Sequence, residues 1–273
     1  MLFGGHLEFF KYQACGNDYV YIDCFEKNVE NPSELARKVS DRHFGVGSDG
    51  LILILPSLKA DAKMRIFNAD GSEAEMCGNG IRCVGKYIFD NKRNLQENIA
   101  KIETMAGVKT LELIESSEKT SKIKVHMGSP KFIDSFYLEE IPKDISNESG
   151  IYLSIGNPHF VIFCEDDINE IDIENIGKKV QKSRRFKNGV NVEFVEIESK
   201  DNIKIRVFER GSGETLACGT GACAAAVSAI SKKYCNEKVT ANLKGGKLEI
   251  EFDDNAVYMT GEAVKVFKGE YYD

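Results

Sequence analysis

Apolar residues along this chain fall in short runs broken by glycines and polar turns. Alternating or continuous runs rich in β-branched and aromatic residues predict strands over residues 19–23, 51–55, 63–67, 123–126, 160–163, 192–197, 203–208 and 247–252. A helical rhythm with proline in its first turn predicts an amphipathic helix over 32–41. Two further helices follow glycine-rich turns, one over 81–91 (IRCVGKYIFDN) and one over 222–234 (ACAAAVSAISKKY). The second ends in Lys232 and Lys233, the charge sign favoured at a helix C-terminus. Glycines at 245–246 and the Asp-Asp-Asn run at 253–255 predict hairpin turns.

The pattern is written twice. KMRIF (63–67) matches KIRVF (204–208), and each ends ten residues before a cysteine, Cys77 and Cys218. Glu73 and Glu214 both stand four residues before those cysteines, GND (16–18) matches GNP (156–158), and Phe44 matches Phe186. Landmarks that share one order and nearly one offset mean an internal duplication. The expected class is α+β, with two pseudo-symmetric domains at roughly 1–121 and 122–263. Each is expected to be a curved, mostly antiparallel, barrel-like sheet around a central helix, and the tail 264–273 to pack back on the first half.

The duplicated motifs CGNG and CGTG carry the candidate chemistry. The first N–H groups of a helix lack internal partners and carry the positive end of its dipole. Glycines let a ligand approach that backbone, so each motif is a cradle for a carboxylate or phosphate with a thiol at its rim. The same position favours a thiolate. If the two helix starts meet at a cleft, one carboxylate is held with a sulfur on each side. A proton could then leave one face of a carbon and another return to the opposite face. Cys83 and Cys223, further along each helix, read as packing residues.

Composition narrows the alternatives. The chain has 273 residues, 42% hydrophobic and 29% charged, with a net charge of −7. That is a globular balance with room for two domains, and no Lys/Arg block marks a nucleic-acid or anionic-membrane surface. The N-terminus lacks a secretion signal and no apolar run could span a bilayer, so a soluble cytoplasmic protein is expected. Eight cysteines without a C-x-x-C pair, and only four histidines, do not suggest a zinc site. No nucleotide-binding glycine motif suggests a cofactor either.

The segments GNDYVYID, FNADGSEAEMCGNGIR, GNPHFVIF, NGVNVEF and ERGSGETLACGTGACAAA closely resemble the diaminopimelate epimerase family. Its members are pyridoxal-phosphate-independent, two-cysteine amino-acid racemases, and the resemblance spans essentially the whole chain. It implies interconversion of LL- and meso-2,6-diaminoheptanedioate in lysine and cell-wall precursor biosynthesis, by a homodimer without a cofactor. It implies that Cys77 and Cys218 are the catalytic pair, the first the proton donor and the second the acceptor when the LL isomer reacts. It further implies that the backbone at Gly78, Asn79, Gly219 and Thr220 holds the reacting carboxylate. Asn17, Asn68, Asn157, Asn191, Glu209 and Arg210 would fix the rest of the substrate, with His159 and Glu209 supporting proton transfer. Gly50 departs from the glutamine that some members carry, so a side-chain contact there is absent. A racemase for another amino acid such as proline, or a non-catalytic thiol sensor or carboxylate-binding module, would use the same cradle.

Overall fold

The computed structural model describes residues 6–91, 95, 98–165 and 167–272. The chain divides into two compact units, one running to Val125 and resuming at Gly261, the other His126–Thr260. The first contains β1 (His6–Ala14), β2 (Asn17–Asp23), α1 (Pro32–Ser40), β3 (Gly50–Leu55), β4 (Ala62–Asn68), the short β5 (Glu73–Ala74), α2 (Gly78–Asp90), β6 (Ile99–Thr104), β7 (Gly107–Ser116) and most of β8 (Thr120–Gly128). The second continues with β9 (Lys131–Phe136), β10 (Gly150–Ser154), β11 (Pro158–Phe163), α3 (Ile173–Lys182), β12 (Asn191–Ser199), β13 (Asn202–Glu209), β14 (Gly213–Thr215), α4 (Gly219–Ser231), β15 (Lys238–Leu243) and β16 (Gly246–Asp253). It ends with the start of β17 (Ala256–Tyr272), so both cuts fall inside strands rather than in linkers.

In the first unit β17, β1, β2, β3, β4, β6, β7 and β8 pair in that order. β8 also pairs with β17, which closes the ring into a barrel. Among the described residues, β2–β3 and β4–β6 are parallel and the other consecutive pairs of this order antiparallel. Helix α2 fills the barrel, with every residue from Gly78 to Phe89 buried. A Cβ at Gly85 would lie 2.6 Å from Leu111 Cδ2, so this glycine sets how closely the helix approaches β7. Buried Lys86 is tied to Asp90 (3.1 Å), the Ser117 carbonyl (3.1 Å) and Ser121 Oγ (3.3 Å), which offsets the cost of placing an ammonium there.

The second unit repeats the plan. β9, β10, β11, β12, β13, β15, β16 and β17 pair in order, and again the equivalent pairs, β11–β12 and β13–β15, are parallel. α3 connects β11 to β12 as α1 connects β2 to β3, and α4 takes the central place, buried from Gly219 to Ala229. The repeat reaches the ion pairs. Arg65 holds Glu73 with two hydrogen bonds (2.7 and 3.0 Å), and Arg206 holds Glu214 likewise (2.8 and 3.0 Å).

The fold is the α+β duplication that the pattern implies, with three local differences. Both central helices begin three residues earlier than the apolar rhythm suggests, because the glycines after each cysteine already form the first turn. Lys232 is the C-cap of α4, and Lys233 (φ 61°) has left the helix. Helix α3 was not anticipated at all: Ile173, Ile176 and Val180 give it an apolar stripe, and Asp172 caps it through the Asn175 N–H (3.1 Å). The expected turn at 253–255 is present, with Asp254 (φ 45°) and Asn255 (φ 64°) both left-handed, as a two-residue hairpin requires. Among the described residues no helix is long and apolar enough to cross a membrane.

Candidate active site

Cys77 and Cys218 are the N-caps of α2 and α4, in extended conformations (φ −135° and −118°). In each case the sulfur accepts the N–H of the third helical residue: Gly80 N to Cys77 Sγ at 3.3 Å, and Gly221 N to Cys218 Sγ at 3.4 Å. A thiol thus does the work usually given to a serine or aspartate, and it sits at the positive end of the helix. At the third position any larger residue would press on the strands behind. A Cβ at Gly80 would lie 2.7 Å from Ile52 Cδ1, and one at Gly221 2.8 Å from Glu193 Oε1.

Around Cys77 the first unit assembles a polar shell. The Cys77 thiol donates to Asn17 Oδ1 (3.4 Å), and Asn17 Nδ2 donates to Asp49 Oδ2 (2.8 Å). Asp49 also accepts the Asp18 N–H (3.1 Å) and pairs with Arg42 (3.2 Å), while Lys11 pairs with Asp18. This fixes the Asn17 amide with its carbonyl toward the sulfur. Tyr19 lies beside the same groups, and burial, followed by the charges of Cys77 and Asp49, pushes its phenol well above the usual range. Asn79 lies at the helix start, with its Oδ1 taken by the buried Arg82 guanidinium (2.8 Å), which also holds the Gly78 carbonyl (3.0 Å). Asn68 donates to Ser72 Oγ (3.0 Å). Gly50 has no space for any side chain, since its Cβ would fall 2.2 Å from the Phe67 carbonyl oxygen.

The shell around Cys218 is different in charge. Glu209 accepts a hydrogen bond from Thr215 Oγ1 (2.5 Å), and its charge acts on the Cys218 thiol. Thr220 Oγ1 lies 3.5 Å from the same sulfur. His159 is completely buried, with Nδ1 2.6 Å from Glu193 Oε1 and Nε2 2.9 Å from Asn157 Oδ1. Asn191, on the strand that pairs with His159, accepts the Arg210 N–H (2.8 Å). The Arg210 guanidinium is exposed and donates to the Asn188 carbonyl (2.8 Å), while Glu214, which could have neutralised it, is occupied by Arg206 and Lys244.

One expectation is reversed. The helix start should favour a thiolate, yet the Cys218 thiol is pushed well above its ordinary value. Burial is the main cause, followed by the negative charges of Glu209 and Glu193. Burial likewise raises Glu209. The half-turn of helix cannot outweigh two carboxylates in a dry pocket.

Of the sequence-predicted residues, the first unit brings together Asn17 and Cys77, with Gly78 and Asn79 on the same helix start. The second gathers Asn157, His159, Glu209, Cys218, Gly219 and Thr220, with Asn191 and Arg210 linked beside them. Sequence reading missed Glu193, Asp49, Tyr19, Arg82 and Thr215. Glu193 left a signal, a lone charge in the otherwise buried run NVEFV of β12. Cys83 and Cys223 are fully buried inside their helices, as packing residues are. Among the described residues no group of three or more His, Cys, Asp or Glu side chains is placed to hold a metal ion.

A family model for diaminopimelate epimerase matches residues 9–133 and 151–266. A diaminopimelate epimerase from Acetivibrio thermocellus is 49% identical over 276 residues, covering 97% of this chain and 98% of the relative. One from Methanococcus maripaludis is also 49% identical, covering 97% and 99%. In fold, a Pseudomonas aeruginosa protein described as a predicted epimerase superposes with a TM-score of 0.75 at 12% identity, over 97% of this chain and 99% of that one. With two capped cysteines in duplicated units and relatives that match nearly end to end, the chain belongs to the diaminopimelate epimerase family.

Proposed function

We propose that the protein interconverts LL- and meso-2,6-diaminoheptanedioate without a cofactor, using Cys77 and Cys218 as its two proton-transfer groups. The observation that carries this is the pair of N-cap thiols, one per unit, each with its own oxygen partner, Asn17 Oδ1 and Thr220 Oγ1. Inversion needs an acid and a base on opposite faces of one carbon, and the duplicated fold supplies two of a kind.

The two shells divide the work. Glu209, whose charge already acts on the Cys218 thiol and whose carboxyl is raised by burial, takes the proton that converts Cys218 to a thiolate. The thiolate removes the substrate's α-proton and becomes a thiol again. Cys77, held as a donor by Asn17 Oδ1, then delivers its proton to the other face. In the reverse direction the roles exchange. N–H groups at Gly78, Asn79, Gly219 and Thr220 stabilise the carboxylate as it gains enediolate character. Asn17, Asn68, Asn157 and Asn191 bind the rest of the substrate, and Arg210 receives the second carboxylate through a paired contact.

The test is turnover of LL-diaminopimelate by reduced protein, with the meso isomer followed by chiral chromatography and proline as the control substrate. Formation of meso product with inert proline supports the reading; proline racemisation without diaminopimelate turnover overturns it. The working form is a homodimer in the cytoplasm, and light scattering at assay concentration should give twice the chain mass.

A further inference from the structure

The second unit buries a charge that the first does without. Glu193 and His159 are both completely buried, and Glu193 Oε2 has no hydrogen-bond partner among the described residues. A buried carboxylate with one oxygen unsatisfied is costly unless a cation stands beside it. The His159 ring stands beside it, with Nδ1 2.6 Å from Oε1. The duplication shows that the fold does not need this pair. The position equivalent to Glu193 is Ile52, which likewise lies against the third glycine of the central helix, and the position equivalent to His159 is Tyr19.

The two ring nitrogens have different partners. Nδ1 faces a carboxylate oxygen and Nε2 faces the Asn157 carbonyl oxygen at 2.9 Å. Asn157 Oδ1 can only accept, so Nε2 is the ring's donor to it. Asn157 is thereby turned with its oxygen toward the ring. Asn17, its counterpart in the first unit, is held the other way. There the Asp49 carboxylate takes the NH₂ and the carbonyl faces the Cys77 thiol. Two equivalent asparagines are therefore oriented oppositely, one by an acceptor and the other by a donor.

We infer that Glu193 is a positioning residue: through His159 it locks the Asn157 amide so that its NH₂, not its carbonyl, is presented to the ligand. The inference rests on the proposed epimerase reading. Asn157 then offers two donors and suits an anionic or carbonyl oxygen of the substrate. Without the carboxylate at 193, nothing keeps the ring's proton on Nε2, Nε2 can become an acceptor, and the amide turns over.

The experiment pairs kinetics with a spectrum. Glu193→Gln keeps the shape and removes the charge, and should lower kcat/KM about 10- to 100-fold, as loss of a buried orienting partner does. Asn157→Ala should cost a similar factor, and the double variant little more, because both remove one donor. Losses that multiply independently, or a Glu193→Gln variant within twofold of the unsubstituted protein, overturn the inference. Asn157→Asp serves should Glu193→Gln not fold. It preserves the contact to His159 but has no NH₂, so it should lose as much as Asn157→Ala, and near-normal kcat/KM would count against the inference. Independently of activity, ¹⁵N spectra of histidine-labelled protein at pH 7.5 should show His159 with a proton on Nε2, and a changed pattern on the ring in Glu193→Gln. An Nε2 without a proton in the unsubstituted protein overturns the link. If the unsubstituted protein fails to turn over diaminopimelate, the functional reading falls, and the spectrum still decides the Glu193–His159 relation.

Discussion

The Gly80 N–H donates to the sulfur of Cys77 at 3.3 Å, so the reactive thiol is also the helix cap. The same holds for Gly221 and Cys218. Capping and chemistry can be separated by substitution. Serine caps a helix well, whereas alanine forfeits about 0.5–2 kcal/mol. Cys77→Ser and Cys218→Ser should therefore melt near the unsubstituted protein, and Cys77→Ala and Cys218→Ala somewhat below it. All four should lose roughly 10²- to 10⁴-fold in turnover. Thermal melts and steady-state rates on the same four proteins check both statements.

The third glycine of each motif answers to what stands behind it. A methyl at Gly80 would press on the end of Ile52, and a methyl at Gly221 on Glu193 Oε1. Ile52 can change rotamer, while Glu193 is pinned by His159 at 2.6 Å. Alanine also gains about 1 kcal/mol over glycine in helix propensity. Gly80→Ala should be close to neutral in urea unfolding, and Gly221→Ala destabilising with lower turnover. Equal effects would mean that Glu193 is not fixed in place.

The buried thiols give stability an alkaline limit. Burial raises Cys218 well above its ordinary value and pushes Cys83 up to about 12. For a raised acid the folded state holds its proton more tightly than the unfolded chain does. Its contribution is complete below the unfolded thiol value of about 8.5 and is lost as pH rises above it. Urea midpoints should fall between pH 7.5 and 10, and fall less in Cys83→Ala, measured against its own value at pH 7.5.

The two equivalent ion pairs should differ in strength. Arg65–Glu73 is about a third exposed and nearly self-contained. Arg206 is more buried and also donates to the Ile168 (2.6 Å) and Ile171 (2.9 Å) carbonyls. Arg65→Ala should cost at most about 1 kcal/mol and Arg206→Ala about 2–3 kcal/mol by urea unfolding.

Much of this was legible in the sequence, because both fold and site are carried by repeated local signals. A cysteine followed by glycines marked each cap, and KMRIF and KIRVF marked β4 and β13. What escaped was set by distant partners. Strands such as β9, exposed along most of its length, have no alternating pattern to read and exist through pairing with β10. Glu193 reads as an ordinary strand residue until β11 brings His159 against it. The raised thiol of Cys218 was missed for the same reason, since its causes are burial and then Glu209 and Glu193, none of which the local motif shows.

The most direct test of the two-thiol account is isotope entry. Reduced protein is incubated with LL-diaminopimelate in D₂O while deuterium at Cα and the meso isomer are followed together. The account predicts that meso product forms with deuterium at the inverted carbon, and that Cys77→Ala and Cys218→Ala both slow inversion roughly 10²- to 10⁴-fold. Inversion at a near-normal rate in either alanine variant, or meso product that retains the substrate's own proton throughout, would contradict it.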